Sequence, residues 1–476
     1  MGFMVVMTLN KKLSSLDEFF DIINIHNYKN ISFHHHLRNG DKVINRVLSY
    51  YEKNEVKNIH LHPSSIFPSY TAIIPLLEKG QITDITTSYM NGPVSDYISS
   101  KGLVGQLIMT SHGLRARAIL DGEELIDIAY IAVPKVNLKG DGIGSSGQSK
   151  CGSLGYAVAD SIKAKIVVVI TDNLVDEIIE NPEINGDNVD YIIEVESIGD
   201  NEGIVSGTTK LTTNPIGVRI AHNTAKALAS LSVLREGFSY QSGAGGISLK
   251  VTDYLKKHMI KNNIKASFFS GGITKYHVEM LEAGLVEKLY DVQCFDLDAI
   301  ESIYKNEKHF AISASKYANP VNEDRVIKDL DIVILGATEI DVDFNVNVTT
   351  DSFNNIIGGS GGHSDVAEEA KVTVIVSPLI KGRIPIIRDR VTTITTPGKD
   401  VDIFVTERGL AINPKRTDLI EQLSKTSLTI KPIEVLQKEA YQFTGVPNET
   451  NHFGKPIGKV MSRWYTKNDT LFMKVG

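Results

Sequence analysis

In this chain of 476 residues, the side chains best spaced for chemistry lie between Asp331 and Val376. Glu339 follows a short apolar run, Ile332 to Leu335, whose branched residues read as a strand buried on both faces. Beyond it, Val342, Phe344, Val346 and Val348 alternate with Asp341, Asp343, Asn345 and Asn347, the period of a half-buried strand. Glu339 is thereby expected between two strands. Gly358, Gly359, Gly361 and Gly362 make a loop almost without side chains, and Ser364 and Asp365 read as the cap and first-turn residue of a short helix. A carboxylate beside bare backbone amides suits acyl transfer, because it can act as nucleophile or base while fixed N–H groups stabilise the oxyanion. A plainer reading stays open: the glycines let two backbones pass closely, and the carboxylate is a solvated turn residue.

These residues also carry a resemblance. ATEID at Ala337 to Asp341, the alternating segment, and GGSGGHSD at Gly358 to Asp365 resemble the second half of the CoA-transferases, and most closely the α subunits of citrate lyase. Further matching segments are FHHHLRNGDKVIN from Phe33, SHG from Ser111, SKCGSLGYA from Ser149, GFSYQSGAGG from Gly237 and GRIPIIRDRVTTITTPG from Gly382. The resemblance implies an α/β protein of two tandem CoA-transferase-like (NagB/RpiA-type) domains with mostly parallel sheets. Residues 1–30 would be an N-terminal extension, 31–235 the first domain, 236–430 the second and 431–476 a C-terminal segment.

The implied activity is transfer of an acyl-carrier thioester from acetyl carrier to citrate, releasing acetate. Glu339 would be catalytic. Gly243, Gly245, Gly246, Gly358, Gly359, Gly361, Gly362 and His363 would hold the thioester or CoA portion, and His112, Arg115 and Arg383 would contact citrate. The implied partners are a lyase β subunit and an acyl carrier γ subunit bearing a CoA-derived, phosphopantetheine-type prosthetic group, with CoA thioesters as surrogates. This chain itself is expected to bind no cofactor and no metal, and to work in an oligomer. Both a covalent glutamyl intermediate and direct transfer in a ternary complex remain open. The alternative is a free-standing CoA-transferase for acetate or 4-hydroxybutyrate using a glutamyl thioester, and a third class is a non-catalytic effector-binding protein on a related fold.

Length and composition bound these readings. The chain is too long for one ordinary core and predicts two domains of roughly 200 residues. With 50 basic and 57 acidic residues the formal charge is −7, and neither sign forms a long block, which argues against nucleic acid. Two cysteines, Cys151 and Cys294, make neither a disulfide framework nor a zinc spacing, which fits a reduced cytoplasm. The first ten residues are apolar but too short to span a bilayer, and read as a ragged start.

Strand and helix signals alternate through both halves. Strands are predicted at Lys57–Leu61, Asp84–Thr87, Leu125–Val133, Ile166–Thr171, Tyr191–Val195, Ala266–Phe269, Thr373–Val376 and Asp402–Val405. Helices are predicted at Tyr70–Lys79, Val94–Lys101, Tyr156–Ala164, Ile216–Leu234, from Gly246 to about His258, and at Tyr276–Glu282. The domain junction is placed near the end of Ile216–Leu234, and Gly271 and Gly272 are read as a turn.

Two patterns compete with the transferase reading. Gly142, Gly144 and Gly147 spell GxGxxG, with Asp172 ending the next strand, but Pro134 to Asp141 separate them from the preceding strand, so a dinucleotide fingerprint is disfavoured. His34, His35 and His36 are consecutive and point in different directions. His60 and His62 share a strand face, yet two ligands are too few for a metal, so they are read as polar residues near a strand end. Cations able to grip a tricarboxylate are Arg38, Lys42, Arg115, Arg117 and Arg383, of which Arg115 with His112 is preferred.

Overall fold

The valine-rich run Ile166–Thr171 forms an interior strand, third from one edge of a ten-stranded sheet, where branched side chains are covered on both faces. This computed structural model describes residues 11–205, 209–447 and 454–474. The first ten residues, read as a ragged start, lie outside the described residues.

The first sheet runs in the order Lys12–Leu13, Tyr191–Glu194, Ile166–Thr171, Ile128–Ala132, Asn30–Phe33, Ile59–Pro63, Ile82–Thr87, Leu107–Met109, Pro456–Met461 and Lys467–Phe472. Every neighbouring pair is parallel except the last, an antiparallel hairpin. The second sheet has eight strands in the order His309–Ala311, Val286–Cys294, Ala266–Ile273, Ser239–Ser242, Ile332–Gly336, Val372–Val376, Ile403–Thr406 and Gly409–Ile412, again parallel save for the final pair. The fold is thus α/β with mostly parallel sheets.

The termini are woven into these sheets. Lys12–Leu13 forms an edge strand, and Leu16 and Phe19 of the helix Leu16–Ile22 are buried, so the described part of the expected N-terminal extension, residues 11–30, packs on the first core. After the helix Ile433–Thr444, the chain returns to the first sheet as the hairpin Pro456–Phe472, beside Leu107–Met109.

Some local expectations are corrected. The alternating segment Asp341–Val348 is a tight hairpin and not one strand: Glu339–Asp341 pairs antiparallel with Val346–Asn347. The Asp341 carboxylate folds the chain back by accepting the N–H groups of Asp343 (3.1 Å) and Asn345 (2.9 Å), the local bond that makes aspartate a turn residue. The short helix His363–Glu369 is capped by Gly362, and Ser364 sits inside it, bonded to Ser360. Gly271 and Gly272 mark a bulge within the strand Ala266–Ile273. Among the described residues, no helix is long and apolar enough to cross a membrane.

Candidate active site

The carboxyl ends of the two parallel sheets face each other, and the residues just beyond those ends meet. The strand Asn30–Phe33 runs out into His34, His35 and His36, and Val286–Cys294 carries Gln293 near its end. Gln293 Oε1 lies 3.1 Å from His35 Nε2, and Gln293 Nε2 donates to the His35 carbonyl (3.2 Å). This assignment puts the imidazole proton on Nε2, so Nδ1 accepts from the Ser64 hydroxyl at 2.6 Å. The ring stacks on Tyr156 at 4.5 Å. The histidine run therefore does scatter, as its spacing requires: His36 bonds the Ala132 carbonyl (2.7 Å) and His34 lies 3.2 Å from Asp160.

The glycine loop is the second seam. Gly361 donates to the Ser88 carbonyl (3.0 Å) and accepts from the His112 N–H (2.8 Å), while Gly358 donates to Thr349 (3.1 Å) and accepts from Met90 (3.2 Å). A Cβ on Gly358 would sit 2.3 Å from the Val348 carbonyl oxygen, and one on Gly359 2.4 Å from that of Ser88. The amides of Gly358 and Gly361 are spent on backbone carbonyls, so the loop's first task is to let two backbones meet. His363, half-buried, bonds Thr396 Oγ1 (2.7 Å) and the Gly336 carbonyl (3.0 Å), using both ring nitrogens, and burial holds its pKa down at about 4.

Glu339 is 1% exposed and heavily solvated by protein groups. Oε1 accepts from Ser352 Oγ (2.6 Å) and Thr392 Oγ1 (3.2 Å); Oε2 accepts from Asn347 Nδ2 (3.0 Å) and the Thr392 N–H (2.8 Å). Arg388 Nε stands 3.5 Å from Oε1, and its buried Nη1 has no hydrogen-bond partner. Sequence reasoning passed over Arg388, although it lies in the same GRIPIIRDR string as Arg383. Its signal was the strand register: Ile387–Arg388 pairs in parallel with Ile340–Asp341, which carries Arg388 alongside the strand that begins at Glu339.

The expected cations divide sharply. Arg115 is buried and clamped to Asp160 by bonds of 2.7 and 2.8 Å, and it also donates to the carbonyls of Tyr156 and His62. That ion pair pulls the Asp160 carboxyl well below the usual range despite its burial, and leaves little of Arg115 for a ligand. Arg117 pairs with Asp121, Lys42 bonds Ser197 at the surface, and Arg383 occupies the exposed turn between Ile380–Lys381 and Ile384–Pro385 at φ +70°. Arg38 differs from all of them. Only 8% exposed, it lies 4.1 Å from the Phe295 ring centroid, its Nε has no partner, and no carboxylate among the described residues is within ion-pairing distance. Among the described residues, its guanidinium donates one hydrogen bond, to the Ile204 carbonyl (3.3 Å). Burial lowers its pKa to about 10, which leaves it charged at neutral pH.

His112 caps this region. Its ring lies 4.3 Å from that of Tyr156 and 5.9 Å from that of His35, its Nδ1 is buried without a partner among the described residues, and burial beside Arg115 holds its pKa at about 3. A neutral imidazole with one unsatisfied nitrogen is available to a ligand. Gly243, Gly245 and Gly246 form the turn into the helix Gly246–Asn262, which has no side-chain cap; Gly243 donates to Ile334 (2.8 Å), and a Cβ on Gly245 would meet open space.

The family model for "Citrate lyase, alpha subunit (CitF)" matches residues 9–470. The chain belongs to the citrate lyase α-subunit family. It is 42% identical to the citrate lyase alpha chain of Haemophilus influenzae over 97% of this chain and 92% of that one. A Streptococcus mutans structure described as the α subunit of citrate lyase in complex with citrate superposes with a TM-score of 0.95 at 42% identity, covering 99% of this chain and 93% of that one. The 4-hydroxybutyrate CoA-transferase of Porphyromonas gingivalis, at a TM-score of 0.53 and 14% identity over 91% of this chain and 97% of that one, shares the fold alone. The family resemblance read from ATEID and GGSGGHSD therefore holds, and membership as an α chain implies a multi-subunit citrate lyase.

The decoy glycines have other occupations. The Gly144 N–H donates to the Glu183 carboxylate (3.1 Å), and a Cβ on Gly147 would lie 2.2 Å from the Pro134 carbonyl oxygen. Asp172 bonds Ser149 and the Ile198 N–H.

Proposed function

We propose that this chain transfers the acyl-carrier thioester from acetyl carrier to citrate, yielding citryl carrier and acetate, within a ternary complex. A citrate carboxylate oxygen attacks the acetyl carbonyl, forming a mixed acetyl–citryl anhydride and expelling the carrier thiolate; that thiolate then attacks the citryl carbonyl and releases acetate. Citrate comes into the reading from family membership and from the citrate complex of the Streptococcus mutans relative. The observation favouring direct transfer is the enclosure of Glu339, because a nucleophile would first have to shed the bonds from Ser352, Thr392 and Asn347. Glu339 then acts by holding its loop and Arg388 in place.

Arg38 is the proposed anchor for a citrate carboxylate, in place of Arg115 and Arg383, since a buried guanidinium without a counter-charge gains most from an incoming anion. His112, which shares His35 as a neighbour with Arg38, is the proposed second contact. The helix end at Gly245 and Gly246, with the glycine loop, faces the carrier's thioester arm. The partners are a lyase β subunit and a γ carrier with a CoA-derived prosthetic group, in a cytoplasmic oligomer.

Exchange of labelled acetate into acetyl carrier, measured with citrate, acetate and 4-hydroxybutyrate as acceptors, tests the reading. Citrate is expected to be preferred, and Arg38→Lys to raise its KM at least about tenfold, because an ammonium cannot replace the guanidinium fork. A preference for 4-hydroxybutyrate would move the assignment to a free-standing CoA-transferase.

A further inference from the structure

His60 and His62 alternate along the strand Ile59–Pro63, so their rings share one face, with centroids 3.8 Å apart. The structure brings Glu124 to the same place. This residue follows the helix His112–Asp121, where Gly122 at φ +82° ends the helix and the Glu124 N–H returns to the Ala118 carbonyl (3.0 Å), a cap that fixes the backbone. One ligand atom from each of the three side chains lies within 4.8 Å of the others.

The distances inside the cluster suit a metal better than a hydrogen bond. His62 Nδ1 is 3.4 Å from Glu124 Oε2, longer than a charge-assisted bond of about 2.7–2.9 Å. It matches the roughly 3.3 Å edge of a tetrahedron whose bonds to zinc are about 2.0–2.1 Å. His60 Nε2 is held by Thr86 Oγ1 at 2.9 Å, the outer bond that would fix its tautomer and leave Nδ1 free to ligate. The approach to Glu124 marks Nδ1 as the nitrogen with which His62 would ligate; its Nε2 is buried and has no partner among the described residues, with or without an ion. Arg115, the nearest buried cation, is neutralised by Asp160.

We propose that His60, His62 and Glu124 form a binding site for a divalent transition metal, with Zn²⁺ the best match. The ligand set is two histidines and one carboxylate, with a fourth position open on the side of Glu124, whose side chain keeps 24% exposure. Such an ion ties the middle of the first sheet to the far end of the helix that begins at His112. The pair of histidines read in sequence as mere strand-end residues lacked a third ligand, and Glu124 supplies it from 62 positions further along the chain than His62.

The test uses the full chain, stripped with a chelator and then exposed to Zn²⁺ or Co²⁺ alone. After gel filtration, about one equivalent of zinc is expected to remain bound, cobalt is expected to give the intense visible absorption of a tetrahedral site, and zinc is expected to raise the thermal midpoint. Glu124→Gln, at a partly exposed position, and His60→Ala are each expected to weaken zinc binding at least about tenfold, with circular dichroism unchanged. Failure of the wild-type chain to retain stoichiometric zinc, or undiminished retention in both folded variants, would overturn the proposal.

Discussion

At the scale of single residues, Glu339 is the sharpest case. Oε2 faces only fixed donors, Thr392 N–H and Asn347 Nδ2, while Oε1 faces two hydroxyls and Arg388 Nε; in Glu339→Gln the NH₂ group can donate to the hydroxyls of Ser352 and Thr392 but is then set against Arg388, which loses its counter-charge. Turnover is expected to fall by up to about a hundredfold, through misplacement of the loop and Arg388. Stability is expected to fall by about 1–3 kcal/mol, the cost of an unsatisfied buried pair. Exchange kinetics and urea unfolding on the same preparation separate these effects, and near-normal exchange would remove Glu339 from the reaction. Asp365 offers a second residue-scale test. Burial lifts its pKa to about 6, with Arg463 opposing, and Oδ2 accepts the Gly113 N–H at 2.8 Å. A carboxyl raised above its unfolded value contributes stability that is complete below about pH 4 and is lost as pH rises through about 6. Asp365→Asn keeps the acceptor without the charge. Its stability relative to wild type is therefore expected to climb between about pH 4 and 6 and level off above, by up to about 3 kcal/mol. Urea midpoints across that range check it, and a difference independent of pH would mean that the carboxyl does not titrate there.

At the scale of elements, the loop from Gly358 to Gly362 carries the seam between the two sheets. Gly361 has φ +52°, and a Cβ there would lie 3.3 Å from His112 Nε2. Gly361→Ala is expected to cost about 1–2 kcal/mol from the left-handed backbone alone. The thermal midpoint should drop, and any rise in the citrate KM should exceed that in the thioester KM, because the pressed neighbour is His112. An unchanged midpoint would mean that the backbone relaxes at this turn. Here the plainer sequence reading, two backbones passing, turned out to be the physical reason for two of the four glycines, Gly358 and Gly359.

At the scale of the whole molecule, the C-terminal hairpin Pro456–Phe472 crosses from one sheet's territory to the other's. It extends the first sheet beside Leu107–Met109, while Arg463 at its turn bonds Glu368 (2.7 Å) and Glu369 (2.7 Å) of the helix His363–Glu369. A chain ending at 447 would expose Leu107–Met109 as an unprotected edge and take the Arg463 guanidinium from Asp365, Glu368 and Glu369, of which Glu369 keeps Arg325. Such a truncation is expected to lower the thermal midpoint and to aggregate, as light scattering would show. A soluble monodisperse truncation with an unchanged midpoint would mean that the hairpin is an appendage.

What could be read along the chain was local. Valine and isoleucine runs such as Ile166–Thr171 and Val372–Val376 announce doubly covered strands whatever surrounds them, because their length and branching already demand it. The alternation of strand and helix is likewise a property of neighbouring residues. Charge compensation is not. Arg115 looked like a free cation until Asp160, 45 positions away, met it, and Arg38 looked no better than its rivals until every carboxylate among the described residues proved to be elsewhere. Glu339 takes bonds from Ser352 and Thr392, 13 and 53 positions along the chain. Whether an ionisable group is spent or available depends on what the fold packs against it, since the cost of burying a charge is decided by its nearest partners in space and not by its neighbours in sequence.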